Sequence, residues 1–166
     1  MLSSYERLME LINSSNPQTT PFDSNSIKFS DPISDLGNGW NTKITISAMP
    51  DSKYEGTVDM HYTRIDLSRI GTGLWLFSDY PFTIQNIVDI LNATKNTFLL
   101  SEDMGVINIP NMRTGDIDTI KLTTNPKSLG WIGEVNVNLI IGFPGIANIL
   151  HQLVNFTLPA NYINVV

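Results

Sequence analysis

The chain contains no cysteine, which excludes disulfides, thiolate metal sites and a cysteine nucleophile. Charge is scarce as well. Only 16% of residues are Asp, Glu, Lys or Arg, against about a quarter in an ordinary globular chain. Ten basic residues stand against sixteen acidic ones, for a net charge of −6, and the basic residues form no cluster. Phosphate backbones are held by such clusters, so no nucleic-acid partner is expected. Long apolar runs are missing too. LIIGF and IANILHQLV fall short of the roughly 18 residues of a membrane span, so no membrane partner is expected. The opening MLSSYERLMELI carries Glu6, Arg7 and Glu10 inside its apolar stretch, which does not read as a secretion signal.

Catalytic motifs are equally sparse. GxSxG, P-loop and GxGxxG patterns do not occur, and GNG at 37–39 and GTG at 71–73 read as loop glycines. His61 and His151 are the two histidines, and neither has a second ligand at metal-binding spacing. Asp116 and Asp118 form a D-x-D that could share a face and hold a divalent cation. No third acidic residue lies near them, and the plainer reading is a strand start. Glu102 and Asp103, after Ser101, favour the N-terminus of a turn. Trp40, Trp75 and Trp131 could form a sugar-stacking platform, or serve as core and rim. No catalytic residue, cofactor or metal ligand is assigned, and no enzyme is expected.

What the sequence does contain is a 42% hydrophobic complement in 166 residues, enough for one domain with a real core. The remainder is rich in neutral Asn, Ser and Thr. Such a surface suits lateral contacts, because few ions must be desolvated on association.

Two stretches repeat one pattern. In MPDSKYEGTVDMHY, Pro50, Ser52, Tyr54 and Gly56 precede an alternation with Val58, Met60 and Tyr62 on one face. In NPKSLGWIGEVNVNL, Pro126, Ser128, Trp131 and Gly133 precede Val135, Val137 and Leu139. Each reads as a hairpin hinged at glycine with one apolar face, which cannot be buried by the hairpin alone. Two such hairpins can cover one another, or lie side by side in one sheet under a helix. Trp131 takes the place of Tyr54, an equivalence that favours packing at a half-buried turn.

The remaining elements follow from periodicity. Ser3 and Glu6 fit a capping box opening a helix over 3–13, with Tyr5, Leu8, Met9 and Ile12 in one stripe. So short a helix needs a surface, of its own domain or of a neighbouring subunit. NSSNPQTTPFDSNS reads as a connector. IKF, TKITISAM and TVDMHY read as strands and DPISDLGNGW as a loop. The alternation slips between Tyr62 and Ile65, which requires a bulge, bend or strand end, and leaves Arg64 and Asp66 able to pair. GTGLWLFSDYPF reads as extended. Thr83 caps a helix running to about Lys95, with Ile84, Ile87, Val88 and Leu91 in register. FLLSEDMGVINIP is expected to hold a strand and a turn at Ser101, and DTIKLTT another strand. Ile146, Ile149, Leu150 and Leu153 show helical spacing again, before an apolar tail expected to dock on its own body or a neighbour.

The order of these features resembles a family of virion structural proteins of large tailed bacteriophages. The resemblance rests on LMELIN, Tyr54–Glu55–Gly56, the run Tyr62–Thr63–Arg64–Ile65–Asp66–Leu67, the helix ending in Leu91–Asn92, and Ser128 to Val137 around Trp131 and Gly133. It covers about two-thirds of the chain, and the stretch from Phe143 onward has no counterpart. It implies a non-enzymatic subunit of the particle, located in the virion, with other virion proteins as partners and no cofactor; assembly in multiple copies through sheet edges, the N-terminal helix and the C-terminal tail is expected. A tail, neck or baseplate position fits better than the capsid shell.

The expectation is therefore an α+β fold: a β-sandwich or rolled antiparallel sheet with a central helix near 84–95 and a short N-terminal helix. The helix occupies 1–14, a connector 15–26, the β-rich core 27–142, and a short helix with an extended tail 143–166. Interface candidates are Tyr5, Leu8 and Ile12 from the helix, and Phe156, Leu158, Tyr162, Ile163, Val165 and Val166 from the tail. The alternative is a carbohydrate-binding module that contacts a host surface.

Overall fold

A computed structural model describes residues 2–16, 20–37, 39–142 and 162–163. The fold is α+β, and the chain divides into two compact units. The first comprises Met1–Ile65 and Pro126–Trp131; the second comprises Asp66–Asn125 and Ile132–Val166.

In the first unit, helix α1 (Ser4–Ser15) starts at the expected capping box. Glu6 N–H donates to the Ser3 hydroxyl at 3.2 Å, and the Glu6 carboxylate accepts from Ser3 N–H at 2.7 Å. That second bond holds the Glu6 carboxyl below its ordinary pKa. Strands β1 (Ile27–Phe29), β2 (Ile33–Ser34), β3 (Thr42–Ala48) and β4 (Thr57–Tyr62) form one antiparallel sheet. The loop expected at DPISDLGNGW thus contains β2, a strand of two residues that is too short for an alternation to show. Ser30 N–H and Asp35 N–H donate to the carbonyls of Thr45 and Asn41, so odd-numbered residues of the β3 segment face β1 and β2. Ala48 N–H donates to the Gly56 carbonyl, so even-numbered ones face β4.

Helix α1 and the sheet share a core. Leu8, Ile12 and Ile44 are buried together, with Phe22, Phe29, Ile46, Met60, Tyr62 and Leu129 packed against them. Burial of this kind contributes roughly 2 kcal/mol per large aliphatic side chain. The Tyr5 hydroxyl donates to the Ile27 carbonyl at 2.9 Å, and its ring lies 4.6 Å from that of Phe29. Asn13 exchanges two hydrogen bonds with the backbone of Phe22, which fastens the connector to the helix.

In the second unit, β6 (Leu74–Ser78), β7 (Ile117–Thr123), β9 (Glu134–Ile141) and β10 (Tyr162–Ile163) form a sheet in the order β10-β6-β9-β7. Two-residue strands β5 (Ile65–Asp66) and β8 (Trp131–Ile132) lie where the chain passes from one unit to the other. Pairing of β6 with β9 is parallel and that of β7 with β9 antiparallel. The rolled antiparallel sheet, one of the two expected architectures, does not describe this mixed sheet; alternation marks which face is buried but not the direction of the neighbouring strand. Val135, Val137, Leu139 and Ile141 are buried, and their register partners Leu74, Leu76, Ile120 and Leu122 are buried with them. Helix α2 (Ile84–Lys95) is capped by Thr83 and buries Ile87, Val88, Ile90 and Leu91. The strand expected in FLLSEDM is absent. Leu99 is buried, Ser101–Asp103 form a 3-10 turn, and Met104 makes a single bridge to Thr124.

The two glycine hinges are alike in backbone. Gly56 has φ +86° and Gly133 φ +92°, a left-handed region that glycine enters without penalty. Their strands nevertheless lie in different sheets, β3–β4 in the first unit and β7–β9 in the second. The side-by-side arrangement in one sheet is therefore not formed.

Candidate functional site

Residues singled out for chemistry are occupied with local structure. Asp116 accepts a hydrogen bond from Arg113 N–H and Asp118 one from Thr119 N–H, each at 2.7 Å. Among the described residues no group of three His, Asp or Glu side chains could hold a metal ion. His151 lies outside the described residues. His61 lies on the polar face of β4, with Nδ1 at 2.5 Å from an Asp35 carboxylate oxygen. That bond lowers the Asp35 pKa. Beside it Lys43 reaches Asp59 at 2.6 Å and Thr45 donates to the same carboxylate. Those two contacts lower the Asp59 pKa. The result is a row of mutually compensated side chains on one sheet face.

Arg64 does not pair with Asp66. Asp66 instead caps the 3-10 turn that follows it by accepting from Ser68 N–H. Arg64 is 6% exposed and donates to the Thr42 hydroxyl, the Pro126 carbonyl and the Ser128 carbonyl at 2.9, 3.2 and 3.0 Å. Its backbone N–H and C=O are both met by the Asn41 amide. Tyr62 adds a bond from its hydroxyl to the Leu129 carbonyl at 2.9 Å. Burial pushes the Tyr62 phenol up to about 12 and lowers the Arg64 pKa. A guanidinium spreads several donors over neutral acceptors, which keeps a desolvated charge tolerable. This cluster ties the segment 126–131 into the first unit and is structural. Sequence spacing had aimed Arg64 at Asp66 because residues two apart share a strand face. The strand end at Tyr62 removes that premise.

The tryptophans do not behave as one group. Trp131 is 5% exposed and Trp75 half-buried, whereas Trp40 is 48% exposed. Among the interface candidates, Leu8 and Ile12 are buried in the first unit because the sheet offers their stripe a complementary face. Tyr5 spends its hydroxyl on Ile27. Phe156, Leu158, Val165 and Val166 lie outside the described residues. Tyr162 and Ile163 form β10 and pair in parallel with Trp75 and Leu76 of β6.

The feature with the chemistry of a contact surface is the edge of β4, which no described strand covers; a sheet edge was expected from sequence, but not which strand supplies it. Even-numbered residues Val58, Met60 and Tyr62 bond to β3, so Thr57, Asp59 and His61 turn their backbone N–H and C=O groups outward. Val58 is 60% exposed. It borders a largely apolar groove of about 440 Å³ whose walls include Ile12, Phe22, Ile46, Tyr54 and Met60. The alternation of TVDMHY was legible, but which strand ends a sheet is not written in it. No curated protein and no solved structure matches this chain. The chain belongs to DUF7941, a family of unknown function, whose model matches residues 1–161.

Proposed function

We propose that this protein is a non-enzymatic structural subunit of a tailed-phage virion that assembles in several copies through sheet edges and its C-terminal arm. The open edge of β4 carries the assembly part of this reading, because outward backbone groups beside an apolar groove offer a neighbour both hydrogen bonds and apolar contact. The ordered sequence features that resemble virion proteins supply the location and the partners, other virion proteins. A tail, neck or baseplate position is favoured, and a sandwich or rolled packing of sheets is the architecture that goes with it. Alternate residues of β9 are buried, a pattern that such a packing requires. The α1 stripe is used inside the first unit and residues 162–163 pair with β6 in the second, so the arm of this reading is the rest of the C-terminal segment.

Mass spectrometry of purified particles tests the proposal. The protein is expected in multiple copies per particle, and its absence from intact particles would overturn the assignment. Removing residues 155–166 takes away β10, an end strand of its sheet, and is expected to leave a folded protein that no longer incorporates; complete, infectious particles carrying the truncated form would eliminate the arm. Exposed Trp40 gives a second reading, carbohydrate binding, one usable residue. Its fluorescence would shift on titration with host polysaccharide, and a flat response over a broad panel would remove that reading.

A further inference from the structure

We infer that β4 pairs with β4 of a second copy, antiparallel, about a two-fold axis at Met60. This deepens the assembly reading above by naming one edge and its occupant. The edge is open: no described residue bonds to the backbone N–H or C=O groups of Thr57, Asp59 and His61. Its one carboxylate, Asp59, is held by Lys43 and Thr45 of β3. TVDMHY contains no proline and no lysine, and its register with β3 runs without a bulge from Thr57 to Tyr62. These are the usual devices against edge-to-edge pairing.

Charge decides the register. Outward-bonding residues must lie opposite outward-bonding residues, which places them at 57, 59 and 61 on both copies. With the axis at Asp59, two carboxylates would face each other directly, and like charges so placed are destabilising. With the axis at Met60, Asp59 lies opposite the partner's His61, and the same contact is repeated by symmetry. Each imidazole is already oriented by Asp35. On the other face Val58 lies opposite the partner's Tyr62 and the two Met60 residues meet, extending the apolar wall of the groove. Two four-stranded sheets become one sheet of eight. A single strand pair buries less than the roughly 1,000 Å² of a stable isolated complex. The pairing is therefore weak in dilute solution and effective where copies are held close together.

The experiment is sedimentation and amide hydrogen exchange on the full-length protein from micromolar to millimolar concentration. A monomer–dimer equilibrium is expected, with the amides of Thr57, Asp59 and His61 gaining protection as the dimer fills. Asp59→Pro removes an outward-facing donor and leaves the bonds of Val58 and Met60 to β3 in place. It is expected to raise the dissociation constant roughly tenfold or more. Asp59→Ala keeps the N–H and is expected to weaken pairing less. Should Asp59→Pro fail to fold, the exchange pattern of the unaltered protein decides alone. A monomer with unprotected amides at millimolar concentration would overturn the inference, as would a dimer whose protection lies elsewhere. Either result would leave the virion assignment intact, because particle composition decides that separately.

Discussion

Arg64 is a single residue whose removal should be felt well beyond its own volume. Its guanidinium serves one hydroxyl and two carbonyls in a site closed to water. Arg64→Ala leaves those acceptors unmet and opens a cavity, at an expected cost of about 3 kcal/mol in urea unfolding. Arg64→Lys should recover little, since one ammonium cannot reproduce a planar fork of donors. A second effect at this scale is titration of Tyr62, whose phenol burial pushes up from its ordinary value of 10.0 to about 12. The neutral phenol is favoured by folding. Its contribution is therefore complete below pH 10 and is lost as pH rises toward 12. Alkaline unfolding of Tyr62→Phe should accordingly show a shallower loss of stability across that window than the unaltered protein. Equal slopes would mean that the phenol is not buried as the structure has it.

At the scale of the element, the two glycine hinges are equivalent in conformation and different in surroundings. Both need positive φ, so alanine at either position is strained by about 1 kcal/mol or more. At Gly56 an added Cβ meets nothing within 4 Å, whereas at Gly133 it comes within 2.8 Å of the Asp66 carboxylate. That carboxylate also caps the 3-10 turn at Leu67–Ile70. Gly133→Ala should therefore destabilise more than Gly56→Ala, and calorimetry should show a larger drop in melting temperature for the former. Helices were the most legible elements. Ser3 with Glu6 and Thr83 with its apolar stripe gave α1 and α2 to within two residues, because caps and the 3.6-residue period are local. FLLSEDM misled for the opposite reason. Leu99 is buried in the second unit without any ladder, and apolar character alone does not distinguish such a segment from a strand.

Over the whole chain, the segment Pro126–Trp131 belongs with Met1–Ile65 although about sixty residues of sequence separate them. It supplies two acceptors to Arg64, one to Tyr62, and Leu129 to the core. A fragment of residues 1–65 lacks all of these. It should show no cooperative thermal transition by circular dichroism, while the full chain should. A sharp transition in the fragment would demote the segment to an accessory. The amino-acid sequence by itself determined the two helices, the long strands, the face that β9 buries and the glycine hinges. Propensity, capping and side-chain alternation act within a few residues, so they can be read without knowing the neighbours. Tertiary structure alone decided that the paired hairpins lie in separate sheets, that β6 runs parallel to β9, that Arg64 turns to backbone carbonyls, and that β4 is the last strand of its sheet among the described residues. Each of these depends on which distant segment comes alongside, and the local pattern of a strand is the same whichever neighbour it meets.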